Sequence, residues 1–317
     1  MKTIHFLYFL FVFLPALCIG QQESYYSFYS KTMNIINPAF AGAEAGTVFS
    51  FTSRRQWSFD EQAPTTLAFS YSSARANNVG LGISLVADRV FIEQQTNATV
   101  DFSYVLNLET TQIYLGLKAG GNFYKADPTG LLGLTAVPDP LQQALSKFNP
   151  NIGAGVLFKK EALWLSFSLP RIFNSSRTND RAILAKDRIH AYLGGGGALP
   201  LRANLILKPS FLVRKVKGLP FSTDLTGLLS WQNKFDFGLS YRTSGALSLF
   251  SSVRIRSFDL GYAYETPLQS TLAQLNLRTH ELFLRIYLDK NTEPEAPIPA
   301  SEEPQNLIPS SKQQFLQ

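Results

Sequence analysis

Cysteine is almost absent from the sequence, which contains only Cys18, inside an apolar N-terminal stretch. This stretch follows a single positive charge, Lys2, and ends in small and polar residues around Gly20. Such a pattern is typical of a secretory signal peptide, so we predict that residues 1–20 are removed on export. A lipoprotein anchored at Cys18 is the weaker alternative, because Leu17 is bulky where such signals carry a small residue. Without Cys18 the exported chain has no thiol, which excludes disulfide bonds and thiolate chemistry.

Long apolar runs are also missing, since no segment after residue 20 approaches 18 consecutive apolar residues. This absence excludes a membrane protein built from helices. Apolar and polar residues alternate instead, with a period of two. Successive strand side chains point to opposite sides, so such segments form strands with one apolar face. In 235–242 the apolar positions are Phe235, Phe237, Leu239 and Tyr241, and 258–265 and 163–169 alternate in the same way.

Fourteen segments show this alternation and are predicted to be strands. Most exceed the average of about 5–6 residues for strands of globular proteins and reach the roughly 9–11 residues that a tilted strand needs to cross a bilayer. The predicted strands are 46–57, 65–75, 78–88, 97–107, 111–124, 151–160, 163–170, 189–199, 202–215, 220–232, 235–243, 246–256, 258–266 and 279–288.

The lengths of the connections depend on their order along the chain. Every even-numbered connection is brief, whereas the odd-numbered ones include all the long ones, 58–64, 89–96, 125–150, 171–188 and 267–278. Outer-membrane barrels have short periplasmic turns, longer external loops and an even strand count. We therefore predict an all-β protein, an antiparallel transmembrane β-barrel of about 14 strands over 46–290, in the bacterial outer membrane. Residues 21–45 form its N-terminal lead-in.

The apolar face of such a barrel contacts lipid, and the other face lines the lumen. Aromatic residues near strand ends fit the girdles of the two membrane interfaces, although aromatics are common in strands generally; they are Tyr104, Trp231, Tyr241, Tyr262, Tyr264 and Tyr287. The lumen-facing charges either pair with one another as a structural network, which burial favours, or form a polar socket for a peptide or solute. The charges predicted to face the lumen are Asp101, Lys118, Lys208, Arg214, Asp224, Asp236, Arg242, Arg254, Arg256, Asp259, Glu265, Glu281 and Arg285.

The formal net charge of +6 is unevenly distributed. Residues 291–317 contain five prolines and four glutamates against one lysine, and are predicted to be a disordered periplasmic tail. The positive excess therefore lies in the preceding residues. Export argues against a nucleic-acid partner, so we interpret this excess as attraction to outer-membrane lipid or to an acidic partner.

Catalytic groups are scarce. His190 and His280 are the only histidines outside the signal, and neither has a metal partner at useful spacing or an obvious serine and aspartate beside it. The glycines at 194–197 lack the lysine of a phosphate-binding loop. We predict a protein that is not an enzyme and that has no cofactor and no metal. A barrel hydrolase using His280 at the rim is an alternative.

Several strings resemble, in this order, the PorP/SprF family of outer-membrane proteins, which is associated with type IX secretion and gliding motility. The resemblance covers about 24–288 and implies a role in exporting or anchoring large surface proteins, with such a protein and type IX components as partners. The strings are Asn37-Pro38-Ala39-Phe40-Ala41-Gly42, Arg54-Arg55-Gln56-Trp57, Ala63-Pro64-Thr65-Thr66, Asn78-Val79-Gly80-Leu81-Gly82, Leu115-Gly116-Leu117-Lys118-Ala119-Gly120, Asn122-Phe123-Tyr124, Asn149-Pro150-Asn151-Ile152-Gly153, Gly261-Tyr262-Ala263-Tyr264 and Thr279-His280-Glu281-Leu282.

Our leading hypothesis is a scaffold for an adhesin-like surface protein, and the alternative is a channel or transporter for small or hydrophobic solutes. The Asn-Pro pair favours a turn at the periplasmic rim, in a small plug, or in a rigid lead-in to the first strand. Long external loops on a rigid scaffold often carry binding. The candidate partner-binding residues are Asn37, Pro38, Asp127, Asp139, Arg171, Arg177, Asp180 and Arg181.

Overall fold

The computed structural model describes residues 25–44, 46–56, 63–127, 145–173, 176–179, 182–186, 189–268 and 278–288. The predicted signal peptide and C-terminal tail lie outside these ranges, as do Asp139, Asp180 and Arg181. No helix among the described residues is long and apolar enough to cross a membrane.

Strands make up most of the described residues. Their bounds are β1 Thr47–Gln56, β2 Thr65–Ala74, β3 Val79–Val90, β4 Glu93–Leu108, β5 Thr111–Ala126, β6 Leu145–Lys160, β7 Leu163–Arg171, β8 Ser176–Asn179, β9 Ala182–Lys186, β10 His190–Gly197, β11 Leu199–Arg202, β12 Leu205–Val216, β13 Ser222–Trp231, β14 Phe235–Arg242, β15 Ala246–Ile255, β16 Phe258–Pro267 and β17 Thr279–Tyr287.

Fourteen of these described strands form a closed antiparallel barrel. Each strand pairs with its neighbours along the chain, β17 pairs with β1, and β10 pairs with both β7 and β12, so that the sheet has no free edge. Closure satisfies the backbone hydrogen bonds of every barrel strand, which a lipid environment requires. The short β11 pairs only with the start of β12, and β8 and β9 form a separate hairpin in the connection that follows β7. The predicted fold class and strand count are confirmed.

The alternation of side chains gives the barrel an apolar outer surface. In β16, Phe258, Leu260 and Tyr262 are exposed, whereas the intervening Asp259, Gly261 and Ala263 are buried. Outward leucines and phenylalanines recur on the other strands, where they contact lipid. One aromatic residue of the predicted girdle is placed differently. Tyr287 is buried on the lumen side, where its hydroxyl accepts a hydrogen bond from Arg254 at 2.9 Å.

The short connections are tight turns. Asn77 and Asn78 have φ of 61° and 62°, and Gln232 and Asn233 have 53° and 54°. Two successive positive φ values match the twist of paired strands, and asparagine tolerates them better than most residues. By the rule for outer-membrane barrels, these turns mark the periplasmic end.

The prediction of a long connection over 89–96 is wrong. Strands β3 and β4 continue to Val90 and Glu93 and meet in a two-residue turn in which Phe91 has φ of 52°. Residues 93–97 lack outward apolar side chains, so the sequence shows no apolar–polar alternation there and does not predict a strand. The outer part of a barrel wall that extends beyond the lipid does not need an apolar face.

Residues 25–44, which we call the plug, lie inside the barrel. They contain three single-turn 3₁₀ helices, Tyr29–Lys31, Met33–Ile35 and Pro38–Phe40. Glu44 contacts Arg285 near the periplasmic end, and Tyr25 contacts Arg242, the last residue of β14, near the outer end. The plug therefore runs along the lumen from the outer half to the periplasmic mouth. Of the three positions considered for the Asn-Pro turn, the structure has the plug.

Candidate functional site

The lumen wall is shaped to accept the plug backbone. A Cβ added to Gly116 would overlap the backbone of Pro38 and Ala39, and one added to Gly155 would overlap the Asn37 side chain. Such close approach is possible only where the wall carries no side chain. The glycines of the inner face thus allow the plug to pack against the sheet itself.

Asn37 organises the turn at the base of the plug. Its side-chain oxygen accepts a hydrogen bond from the Ala39 amide at 2.9 Å, with Pro38 in the first helical position. Its Nδ2 donates to the carbonyls of Val156 and Phe167 at 3.3 and 3.4 Å. The same side chain therefore caps the local turn and attaches it to the barrel wall.

Lys31 anchors the middle of the plug. Its ammonium lies 2.8 Å from the Asp236 carboxylate, 2.7 Å from that of Asp259, and 2.8 Å from the Ser252 hydroxyl. The Asp259 side chain is only 1% exposed. Because a buried carboxylate is costly unless it is paired, Lys31 supplies charge that this part of the wall requires.

Glu281 binds the plug backbone directly. Its carboxylate accepts hydrogen bonds from the amides of Ser27 at 2.8 Å and Phe28 at 3.3 Å. Arg54 balances this carboxylate at 3.3 Å and pairs with Glu265 at 2.7 Å. Glu281 of the wall therefore accepts hydrogen bonds from the plug backbone, and Arg54 compensates the negative charge of its carboxylate.

Tyr25 lies between two guanidinium groups. The carbons at the centres of the Arg214 and Arg242 guanidiniums are each 3.8 Å from the ring centroid. Arg242 also pairs with Asp224 at 2.7 Å and with Glu265 at 3.1 Å. Desolvated cation–π contacts of this kind are worth about 2 kcal/mol each.

Apolar contacts complete the outer half of the plug. Phe28 stacks on Phe283 with the ring centroids 4.9 Å apart and meets Phe250 edge-on at 5.2 Å. The Tyr29 hydroxyl lies 3.0 Å from that of Ser210.

The opposite wall holds the plug through Lys118. This residue pairs with Asp101 at 2.7 Å and donates to the plug carbonyl of Asn34 at 3.2 Å. At the periplasmic mouth, Arg285 pairs with Glu44 at 2.6 Å. Contacts between wall and plug are therefore distributed around the whole circumference of the lumen.

The structure places most residues proposed to face the lumen on the inner face of the barrel. Nine are buried, and Asp236, Lys208 and Arg254 are partly exposed within the lumen. Arg256 is placed differently, because it lies exposed in the turn between β15 and β16 with φ of 53°. The buried nine are Asp101, Lys118, Arg214, Asp224, Arg242, Asp259, Glu265, Glu281 and Arg285.

Sequence reasoning missed several charges of this site, among them Arg54, Lys31 and Glu44. Arg54 had a usable signal, since Phe49 and Phe51 of β1 face outward and parity then turns Arg54 inward. Lys31 and Glu44 had none, because the plug has no alternating pattern.

The candidate partner-binding residues are dispersed. Asn37 and Pro38 are buried in the plug, whereas Asp127 follows the outer end of β5 and lies 3.9 Å from Lys125. Arg171 ends β7, and Arg177 lies in β8. The structure does not bring Asn37 and Pro38 together with the loop residues, so any role of the latter in binding stays a prediction.

The neighbours of His190 and His280 are mainly tyrosines. His280 Nδ1 lies 2.6 Å from the Tyr262 hydroxyl and its ring packs against Tyr264, while His190 is buried beside Tyr192. Over the described ranges, no group of three or more histidine, cysteine, aspartate or glutamate side chains is placed to hold a metal ion.

Substitution Gly155→Leu is expected to unseat the plug, because a side chain at this position occupies the space of Asn37. Overpacking of this severity costs about 3 kcal/mol or more. The measurement is maleimide labelling of an Ala39→Cys reporter, which is fully buried in the parent protein. Gly227→Ala is the matched control, since a Cβ there meets nothing within 4 Å. Equal labelling in both variants would contradict the role of the wall glycines.

A known protein family matches most of the chain. Residues 19–286 match the family described as Type IX secretion system membrane protein PorP/SprF. No curated protein is significantly similar in sequence. Among solved structures, the outer membrane protein Omp33 of Acinetobacter baumannii is similar with 10% identity and a TM-score of 0.44, over 78% of this chain and 99% of that one. The toluene transporter TbuX of Ralstonia pickettii is similar with 11% identity and a TM-score of 0.45, over 79% and 90%. The chain belongs to the PorP/SprF family of type IX secretion system membrane proteins and is an outer-membrane β-barrel.

Proposed function

We propose that this protein is a non-enzymatic scaffold that helps to export or anchor a large, adhesin-like cell-surface protein. Its family supports a place among the outer-membrane components of type IX secretion. The observation that supports a scaffold role is the plug, which occupies the lumen of the barrel. A diffusion channel requires an open path, whereas a scaffold requires only a stable barrel with a surface for its partner.

The way in which the plug is held favours this proposal over the channel. Lys31, Asn37 and Glu44 attach the plug to three different sites on the barrel wall. Buried ion pairs are expensive to separate, so spontaneous release of the plug is rare. A rigid, filled barrel leaves the external connections as the surface available to a secreted partner.

The test is a mild-detergent pull-down of the tagged protein from its own outer membrane, followed by mass spectrometry. We expect recovery of a large secreted surface protein together with type IX components. The matched control is an unrelated outer-membrane barrel with the same tag, expressed at the same level.

Recovery of the barrel alone, combined with ion conductance of the intact protein in a planar bilayer, would overturn the scaffold proposal in favour of a channel. Recovery of the secreted protein with a non-conducting barrel is the outcome that the plug predicts.

A further inference from the structure

Three basic side chains lie at the outer end of the barrel wall and point away from the lumen. Arg55 of β1, Arg89 of β3 and Lys125 of β5 are each the next-to-last residue of a strand that runs towards the outer end. All three are exposed, and they follow the alternation that buries every second side chain of these strands. They therefore share a face with the apolar side chains that contact lipid.

The strand register places these cations in one row across the sheet, which we call the basic row. Arg55 is opposite Thr65 of β2, which is in turn opposite Arg89. Arg89 is opposite Gln94 of β4, which is opposite Lys125. Adjacent strands lie about 4.8 Å apart, so successive cations of the basic row are about 10 Å apart. A hydroxyl or an amide group stands between each pair of cations.

The outward face around the basic row is positively charged. Within the described strands β1–β5, no acidic side chain lies on that face, because Asp88, Glu93 and Asp101 occupy lumen-facing positions of the alternation. Just beyond β5, Asp127 lies 3.9 Å from Lys125, and both side chains are partly exposed. The cations of the lumen wall form buried ion pairs, whereas those of the basic row face the surroundings of the barrel.

The basic row adjoins the apolar surface of the barrel. Leu67 and Phe123, which lie two residues below the row on β2 and β5, are 58% and 55% exposed. Phe123 packs against Phe148 of β6 with the ring centroids 4.6 Å apart. Outward aromatic side chains near strand ends are typical of the membrane interface. The basic row therefore lies where the headgroups of the outer leaflet begin.

We propose that the basic row binds the phosphate groups of a phosphorylated glycolipid in the outer leaflet. Lipopolysaccharide is the main lipid of that leaflet, and its lipid A anchor carries phosphates. Arginine matches phosphate with two parallel hydrogen bonds, and lysine binds it as a point charge. Thr65 and Gln94 supply uncharged donors between the cations. The acyl chains of the same lipid lie against Leu67 and Phe123.

The direction of the side chains favours a lipid over an acidic protein. Side chains stand perpendicular to a sheet, so the basic row projects sideways from the barrel wall, towards the surrounding leaflet. A lipid beside the barrel meets the basic row and the apolar surface together. A protein above the membrane meets the strand ends and the external connections first. Lipid binding at this place is independent of whether the barrel acts as a scaffold or as a channel.

The test measures the affinity of the mature protein for purified lipid A by a native mass spectrometry titration in mild detergent. The triple variant Arg55→Gln/Arg89→Gln/Lys125→Gln removes the three cations from an exposed surface. Each cation at an anionic lipid surface contributes about a factor of five, so we expect the affinity to fall about a hundredfold. Heat-dependent migration on gels shows that each variant forms a barrel. Equal affinity of the parent and the triple variant would overturn the proposal.

The matched control is Arg75→Gln/Arg202→Gln/Lys234→Gln, which removes three exposed cations at the periplasmic end. It changes the net charge by the same amount and is expected to bind lipid A as the parent does. An equal loss of affinity in the control would show that net charge, and not the basic row, decides binding.

Dephosphorylated lipid A separates phosphate recognition from acyl-chain packing. We expect the parent to bind it about as weakly as the triple variant binds intact lipid A. Tight binding of the dephosphorylated lipid would overturn the assignment of the basic row to phosphate. A triple variant that keeps its affinity for lipid A but no longer recovers a secreted protein in the pull-down would replace the lipid by an acidic protein.

Discussion

Deletion of residues 25–43 is expected to open the barrel and to raise its ion conductance in a planar bilayer at least about tenfold over the intact protein. Fourteen strands enclose more space than an eight-stranded barrel, whose interior is filled by side chains, and approach the size of porins that conduct. In this protein the space is occupied by the plug, whose Phe28 and Ala39 are almost completely buried. Removing the plug exposes a lumen lined by charged and small polar residues, which water fills.

The deletion is compared with a deletion of equal length, 295–313, in the predicted tail. The tail deletion is expected to leave conductance at the level of the intact protein. Both variants are first shown to form barrels by their heat-dependent migration on gels. A plug deletion that assembles and remains closed would mean that the wall or the external connections close the lumen, and the plug would lose its proposed role.

Replacement of Lys31 by methionine is expected to destabilise the seated plug by about 3 kcal/mol, the lower end of the cost of removing one partner from a buried ion pair. The change leaves the carboxylates of Asp236 and Asp259 without the ammonium that lies 2.8 and 2.7 Å from them. Arg254, 3.7 Å from Asp259, compensates only in part. The maleimide labelling rate of the Ala39→Cys reporter should rise by about two orders of magnitude, because about 1.4 kcal/mol corresponds to a factor of ten in the open population.

Two further variants separate charge from packing at this position. Lys31→Arg keeps the charge and is expected to label much more slowly than Lys31→Met. The triple variant Lys31→Met/Asp236→Asn/Asp259→Asn removes the uncompensated carboxylates and is expected to recover most of the protection. Identical labelling of Lys31→Met and the parent would show that the ion pairs do not hold the plug.

The barrel was predictable because its signal is local. In β14 and β16 every second side chain is apolar, and the pleat of a strand alone decides that these side chains share a face. Glycine at positions such as 116 and 155 was visible in the sequence, but its purpose was not. The space that these glycines leave has meaning only once Pro38 and Asn37 are known to lie against them.

The outer ends of the strands could not be predicted from local sequence patterns. Residues 93–97 are polar throughout, yet they continue β4 because β3 and β5 provide backbone partners on both sides. Pairing of this kind depends on neighbours and not on the segment itself. The same pairing aligns Asn97, Asn122 and Asn149, which are separated along the chain by other residues and form a row only in the closed sheet.

By itself, the sequence determined that this protein is an antiparallel barrel with an apolar outer face, since alternation with a period of two and the length of each segment act within single strands. Only the tertiary structure decided that residues 25–44 fill the lumen. The contacts responsible join Phe28 to Glu281 and Lys31 to Asp259, more than 200 residues apart. Such contacts follow from closure of the sheet, which brings charges from β1, β14, β16 and β17 around one short segment that has no periodicity of its own.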